Sequence, residues 1–189
     1  MTDALNLISG AIERFGARVR EVPADAWNDP TPCTEWTVRD LVNHLVGEHL
    51  WTPHILAGEP LEQVGTRYDG DLLGDDPVKA WEQAAQRSRT AWLDTDLSGT
   101  YRFSFGEAPL TTYADQMLVD LTIHEWDLAR GISRPASFDP QAVELCLAYT
   151  RANVARWDGL GIIDPPIPTD STDPVVQLLS LTGRAVDAL

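Results

Sequence analysis

Apolar residues recur at helical spacing through most of the chain. Leu5, Leu7, Ile8, Ile12, Phe15 and Val19 are interrupted by Glu13, Arg14, Arg18 and Arg20, which predicts an amphipathic helix over Leu5–Val22. Pro23, Pro30 and Pro32 then break the chain as far as Thr34. Thr37, with Asp40 three residues on, nearly matches a capping box and opens a second helix through about Ile55, with Val38, Leu41, Val42, Leu45, Val46 and Leu50 as its apolar face. Gly58 to Asp76, rich in Gly, Pro and Asp, reads as a lid-like loop that could carry a short irregular helix. Pro77 sits at the first turn of a third helix, Val78–Leu93.

The period then changes. Tyr101, Phe103 and Phe105 alternate with Arg102 and Ser104, so Thr100 to Thr112 predicts a short strand or hairpin. A fourth helix follows over Tyr113–Arg130, closed by Gly131, and a fifth over Pro140–Trp157, ended by Gly159-Leu-Gly161. Asp164-Pro-Pro-Ile-Pro168 must be extended, and Pro174–Leu189 has the periodicity of a last, accessory helix. The sum is an all-α protein: a four-helix bundle with a short strand or hairpin before the fourth helix and a C-terminal accessory helix, one domain over residues 1–189.

Composition narrows the function classes. A net charge of −15 argues against nucleic acid and anionic membrane surfaces as partners, because both recruit basic patches. No stretch has the character of a signal peptide or a membrane helix, so the expected location is cytoplasmic. Cys33 and Cys146 are then expected to be free thiols, and the absence of a CxxC pair excludes a cysteine-based zinc knuckle.

The chemistry concentrates in Asp120-Leu-Thr-Ile-His124-Glu-Trp-Asp127. Residues four apart on a helix lie one above the other, so Asp120 and His124 can aim at a common point, and Asp127 falls on the same stripe. Of the four histidines, His44 sits on or beside the apolar face of the second helix. His49 lies roughly 140° further round, and His54, after Pro53, is expected to be solvated. His44, Asp120 and His124 are therefore the one inward-pointing set from two helices, and two imidazoles with a carboxylate suit zinc, nickel or iron. The same residues also fit a hydrogen-bonded core histidine and a buried Asp–His ion pair.

The segment Pro32-Cys-Thr-Glu-Trp-Thr-Val-Arg-Asp-Leu-Val-Asn-His44-Leu resembles the first metal-ligand helix of the DinB/YfiT-like superfamily. More closely, it resembles the actinobacterial branch that contains mycothiol-dependent maleylpyruvate isomerase. The resemblance continues in Asp120-Leu-Thr-Ile-His124-Glu-Trp-Asp-Leu-Ala and in Leu178-Leu-Ser-Leu-Thr-Gly183-Arg184. It implies a bundle holding a divalent metal through His44, Asp120 and His124, where the isomerase has Glu in place of Asp120. It further implies a metal-activated thiolate, with mycothiol or another low-molecular-weight thiol as cosubstrate, an electrophile as second substrate, and a homodimer. The activity class is a thiol-dependent transferase or isomerase. The alternative is a metal- or ligand-binding, stress-associated protein of the same fold without turnover.

Other residues have two readings. Asp127 can orient an imidazole or bond an Arg or a helix N-terminus, and the second is favoured slightly. Glu48, one turn beyond His44, can reach the metal or face solvent, with solvent favoured. Arg130 can hold a carboxylate or cap its helix, and Trp126 can line a pocket or fill the core. Cys33 fits a small residue anchoring its loop better than a reactive thiol, since no cation stands beside it in sequence.

Overall fold

In a computed structural model of the protein, residues 3–104, 106–157 and 163–186 are described. The chain order is α1 (Asp3–Arg20), α2 (Val38–Leu56), α3 (Leu61–Val64), α4 (Pro77–Leu93), β1 (Thr100–Phe103), β2 (Gly106–Pro109), α5 (Leu110–Gly131), α6 (Pro140–Trp157) and α7 (Pro174–Leu181). Helices α1, α2, α4 and α5 form the bundle. Its broadest contacts are α2 on α4 and α1 on α5, with α6 laid on α5 and α7 on α6. Phe15, Leu41, Leu45, Trp81, Met117, Leu118 and Leu121 fill the space between them. Among the described residues, no helix is long and apolar enough to cross a membrane.

Local chemistry sets the helix starts. Thr37 accepts a hydrogen bond from the Asp40 amide at its Oγ1 while the Asp40 carboxylate accepts from the Thr37 amide, so the expected capping box is complete. Asp76 caps α4 and Asp173 caps α7, each followed by a proline in the first turn, where no amide hydrogen is missed. The hairpin pairs Thr100 with Pro109 and Phe103 with Gly106, antiparallel. Phe105, part of the expected alternation, lies outside the described residues, as do Gly159 and Gly161. Helix α5 begins one turn before the expected Tyr113 because β2 ends at Pro109, whose fixed φ of −59° already suits entry into a helix.

The long connection after α2 contains the short α3 and is fastened down. Asn43 Nδ2 donates to the Gly70 carbonyl, Leu72 N donates to Asn43 Oδ1, and Arg39 grips Asp71 and the Gly74 carbonyl. Leu73 from this segment is buried in the core.

The accessory helix stops eight residues before the expected Leu189. Gly183 adopts φ +80°, its amide donates to the Ser180 carbonyl, and the Arg184 amide donates to the Leu179 carbonyl. That is a Schellman stop, and it turns Arg184 back toward the bundle. Asp164 lies directly on Gly183, where a Cβ would come within 2.8 Å of the Asp164 carbonyl carbon. Gly183→Ala is accordingly expected to cost about 1–3 kcal/mol, from the left-handed backbone and the collision together, read as a lower midpoint in urea unfolding. An unchanged midpoint would contradict this account of the turn.

Candidate metal centre

Two backbone features bring the chemistry together. Helix α5 is buried on every side from Leu121 to Ala129, so Asp120, His124 and Asp127 project into protein. The loop Thr31–Trp36 folds against the end of α5. Thr31 N donates to the Trp36 carbonyl and Thr31 Oγ1 donates to the same oxygen, while a Cβ on Gly131 would press on Thr31 and Val38 at 3.1 Å. This close approach sets Cys33 and Trp36 beside the two histidines.

Asp120 lies between the imidazoles. His124 Nε2 is 3.2 Å from Asp120 Oδ1, and His44 Nε2 is 3.2 Å from Asp120 Oδ2. Although His44 Nε2 is near enough to Oδ2 for an ion pair, its direction is wrong for a hydrogen bond, and Asp120 Oδ2 remains a buried oxygen with no hydrogen-bond partner. The two rings are 5.3 Å apart and edge-on, and Trp36 covers both, at 4.9 Å from His44 and 5.7 Å from His124. The ligand atoms of His44, Asp120 and His124 all lie within 4.8 Å of one another.

Electrostatics within the group are cooperative. Burial pushes the Asp120 carboxyl up, but the neighbouring His44 and His124 charges and hydrogen bonds outweigh it and hold it well below the usual carboxylate range. Burial pulls His124 down, and the Asp120 charge with the hydrogen bonds His124 donates to Asp120 and Asp127 overcomes it, placing the imidazolium at about 9. His124 Nδ1 is 2.9 Å from Asp127 Oδ2. Asp127 is fully buried and receives Arg184 bidentately, Nη2 to Oδ2 at 2.7 Å and Nε to Oδ1 at 3.2 Å. Both readings of Asp127, imidazole partner and arginine partner, are therefore realised together.

Several expectations change. Glu48 does not face solvent: it is half-buried, and burial and the Asp120 charge raise its carboxyl while His44 and His124 oppose them. Glu48 faces α5, whose Tyr113, Asp120 and His124 stand against it, a neighbourhood that the apolar pattern of α2 alone did not predict. His54 is not free in solvent either; its Nδ1 meets Glu59 at 2.5 Å and its Nε2 meets the Tyr68 hydroxyl at 2.8 Å. His49 does point away from His44, is fully buried against Ser88 and Trp81, and is lowered to about 3 by burial. Trp126 is buried and carries Arg130 over its ring at 6.0 Å, so that exposed arginine stacks instead of reaching the histidines. The aromatic at the site is Trp36.

Cys33 lies at the far edge, where its sulfur with His124 and Asp127 forms a second close-set donor group. Burial pushes its thiol up to about 11, more than the nearby Arg184 pulls it down, so it is no activated nucleophile. Arg184 itself was not singled out as a site residue. Its signal was present: it is the one charged residue between Pro174 and Val186, directly after a helix-stopping glycine. A cavity of about 780 Å³ lies elsewhere, between α2 and α4, and is lined by Leu50, His54, Arg67, Tyr68 and Arg87 among others.

The model of the mycothiol maleylpyruvate isomerase N-terminal domain matches residues 8–129. Two uncharacterized proteins of Mycobacterium tuberculosis, from strains CDC 1551 / Oshkosh and ATCC 25618 / H37Rv, are each 31% identical over 193 residues, covering 97% of this chain and 99% of the relative. No solved structure matches the chain. The chain belongs to the mycothiol maleylpyruvate isomerase N-terminal domain family, within the DinB-like metal-binding superfamily.

Proposed function

We propose, on the premise of that membership, that His44, Asp120 and His124 hold a divalent metal and that the protein is a cytoplasmic thiol-dependent transferase or isomerase. One observation supports the ligand set above the others: the Asp120 carboxylate has an imidazole nitrogen 3.2 Å from each oxygen, His124 at Oδ1 and His44 at Oδ2, yet Oδ2 is buried without a hydrogen-bond partner. An unpartnered buried carboxylate oxygen is costly, and a cation beside it removes the cost. Two imidazoles and one carboxylate also leave positions open for substrate, as catalytic zinc sites do, and zinc, nickel and iron all accept such donors.

A metal held there would supply a positive charge that lowers the pKa of a bound thiol. The thiol is mycothiol or a similar small molecule; it would give up its S–H proton, and its sulfur would bond to the electrophilic carbon of the second substrate as that carbon's bond to a leaving group breaks or its π pair moves to the neighbouring atom. The protein's own part is positional. Asp127 holds His124 by Nδ1 so that Nε2 faces the site, Trp36 keeps water from the two rings, and the raised Glu48 carboxyl takes up and returns a proton at its oxygens.

Proton and metal compete for His124. Its folded pKa is raised to about 9, so stability from the charged imidazolium is complete below the unfolded value of about 6.5 and is lost as pH rises through about 9. Metal must displace that proton, and zinc affinity is expected to rise about 100-fold from about pH 6 to about pH 8. Titration calorimetry at the two pH values measures it, and a flat profile would contradict the displaced proton.

A second reading, binding without turnover in a stress-associated protein, draws on the cavity, which none of the three proposed ligands lines. Purified protein stripped with chelator and reloaded with zinc, nickel or iron discriminates the two. Incubated with mycothiol and a panel of electrophiles, the enzyme consumes thiol only when reloaded. Metal uptake with no thiol consumption supports the second reading, and an absence of metal uptake overturns the metal-dependent first one.

A further inference from the structure

His124 stands between two donor groups, and one nitrogen serves each. Nε2 faces Asp120, which His44 also meets, whereas Nδ1 at the opposite edge of the ring faces Asp127, which belongs with His124 and Cys33 to the second close-set group. Sulfur, imidazole and carboxylate make a donor set at least as attractive to zinc as the first. What distinguishes the two is a cation already in place. The Arg184 guanidinium grips both oxygens of Asp127, donates to the Thr182 carbonyl at 2.6 Å, and is almost wholly buried. Its backbone is fixed by the Schellman turn at Gly183, which is pinned under Asp164, and Asp164 in turn accepts from Thr34 beside Cys33.

We propose that Arg184 decides which nitrogen of His124 is offered to metal: by saturating Asp127 it closes the Cys33 side and directs Nε2 to the His44–Asp120 side. The proposal rests on the metal reading above. It also extends the site beyond the matched residues 8–129, since the group that sets the ligand's orientation is at position 184. The physical basis is direct. A carboxylate with both oxygens bound to a guanidinium and one of them shared with an imidazole has little left for a second cation, and a metal there would meet a fixed positive charge. Arg184 is thus a positioning residue that acts through Asp127.

Cobalt is the probe, because a thiolate bound to cobalt adds an intense near-ultraviolet charge-transfer band that nitrogen and oxygen donors do not. The wild-type protein is expected to bind cobalt without that band. Arg184→Gln is expected to bind cobalt about 10–100-fold more weakly, the range lost when the outer support of a metal ligand is removed, and to show the band. Adding Cys33→Ser should abolish the band. Arg184→Lys, which keeps the charge without the fork, should show no band and an intermediate affinity. An Arg184→Gln protein with wild-type affinity and spectrum overturns the proposal while the metal reading stands. A wild-type chain that takes up no cobalt overturns the metal reading itself.

Should Arg184→Gln fail to fold, the zinc-loaded wild-type protein gives an independent answer. Two-bond proton–nitrogen correlations of His124 should show Nδ1 carrying hydrogen and Nε2 bound to metal. The reverse assignment overturns the proposal.

Discussion

His44→Ala is expected to strip the protein of most of its metal. The change leaves Asp120 and His124, a four-spaced pair on one helix, and removes the one proposed ligand supplied by the facing helix α2. Loss of a direct ligand should exceed the ~10–100-fold loss of affinity that follows removal of a ligand's outer support. Protein purified without chelator and measured by elemental analysis should hold a small fraction of the wild-type content. The fold should survive, since His44 is part-exposed and the capping box of α2 lies a full turn away; a change within about 1 kcal/mol is ordinary for such a site. Wild-type metal content in the variant would remove His44, and with it the three-ligand site.

Asp127→Ala should have the largest effect on stability. It leaves the buried Arg184 guanidinium without its carboxylate and His124 Nδ1 without its partner. Breaking a buried pair by deleting one member costs about 3–5 kcal/mol, mostly from the uncompensated charge that remains. Burial alone would lower Arg184, and the Asp127 charge and hydrogen bonds do most to keep it above its ordinary value, so Asp127 is its main counterion. Urea unfolding of the metal-free protein measures the loss. A cost under about 1 kcal/mol would mean that water reaches Arg184. Asp127→Asn, which keeps one acceptor oxygen in place, should fall between the two.

The helices were legible in the chain because each announces itself locally. Thr37 and Asp40, Pro77 and the stripe ending in Trp92 need no knowledge of the rest of the protein. The pair Asp120 and His124 was legible for the same reason, as a four-residue spacing on one helix. What escaped depends on contacts between distant segments. Nothing near Trp36 says that the loop bearing it turns over His44 and His124, because that turn depends on Gly131 admitting Thr31 and Val38. Glu48 reads as a solvent-facing residue until α5 brings Tyr113, Asp120 and His124 against it. The tail helix was expected to run eight residues further than it does, because apolar periodicity continues past Gly183, whereas a single left-handed residue ends the helix. Arg184 was hidden by the same misreading, since a charged residue within an accessory helix has no reason to reach α5.

The three proposed ligands are drawn from far apart in the chain: His44 and Asp120 are separated by 76 positions. An unfolded chain can offer a metal only the two groups of α5, and even those only transiently, so the ion recognises the native state almost alone. Metal uptake is then a term in the folding equilibrium. Free ion at a hundred times its dissociation constant would add about 2.7 kcal/mol to the stability of the folded chain. A cell's supply of that ion would set how much of this protein is folded, as well as how much of it is loaded.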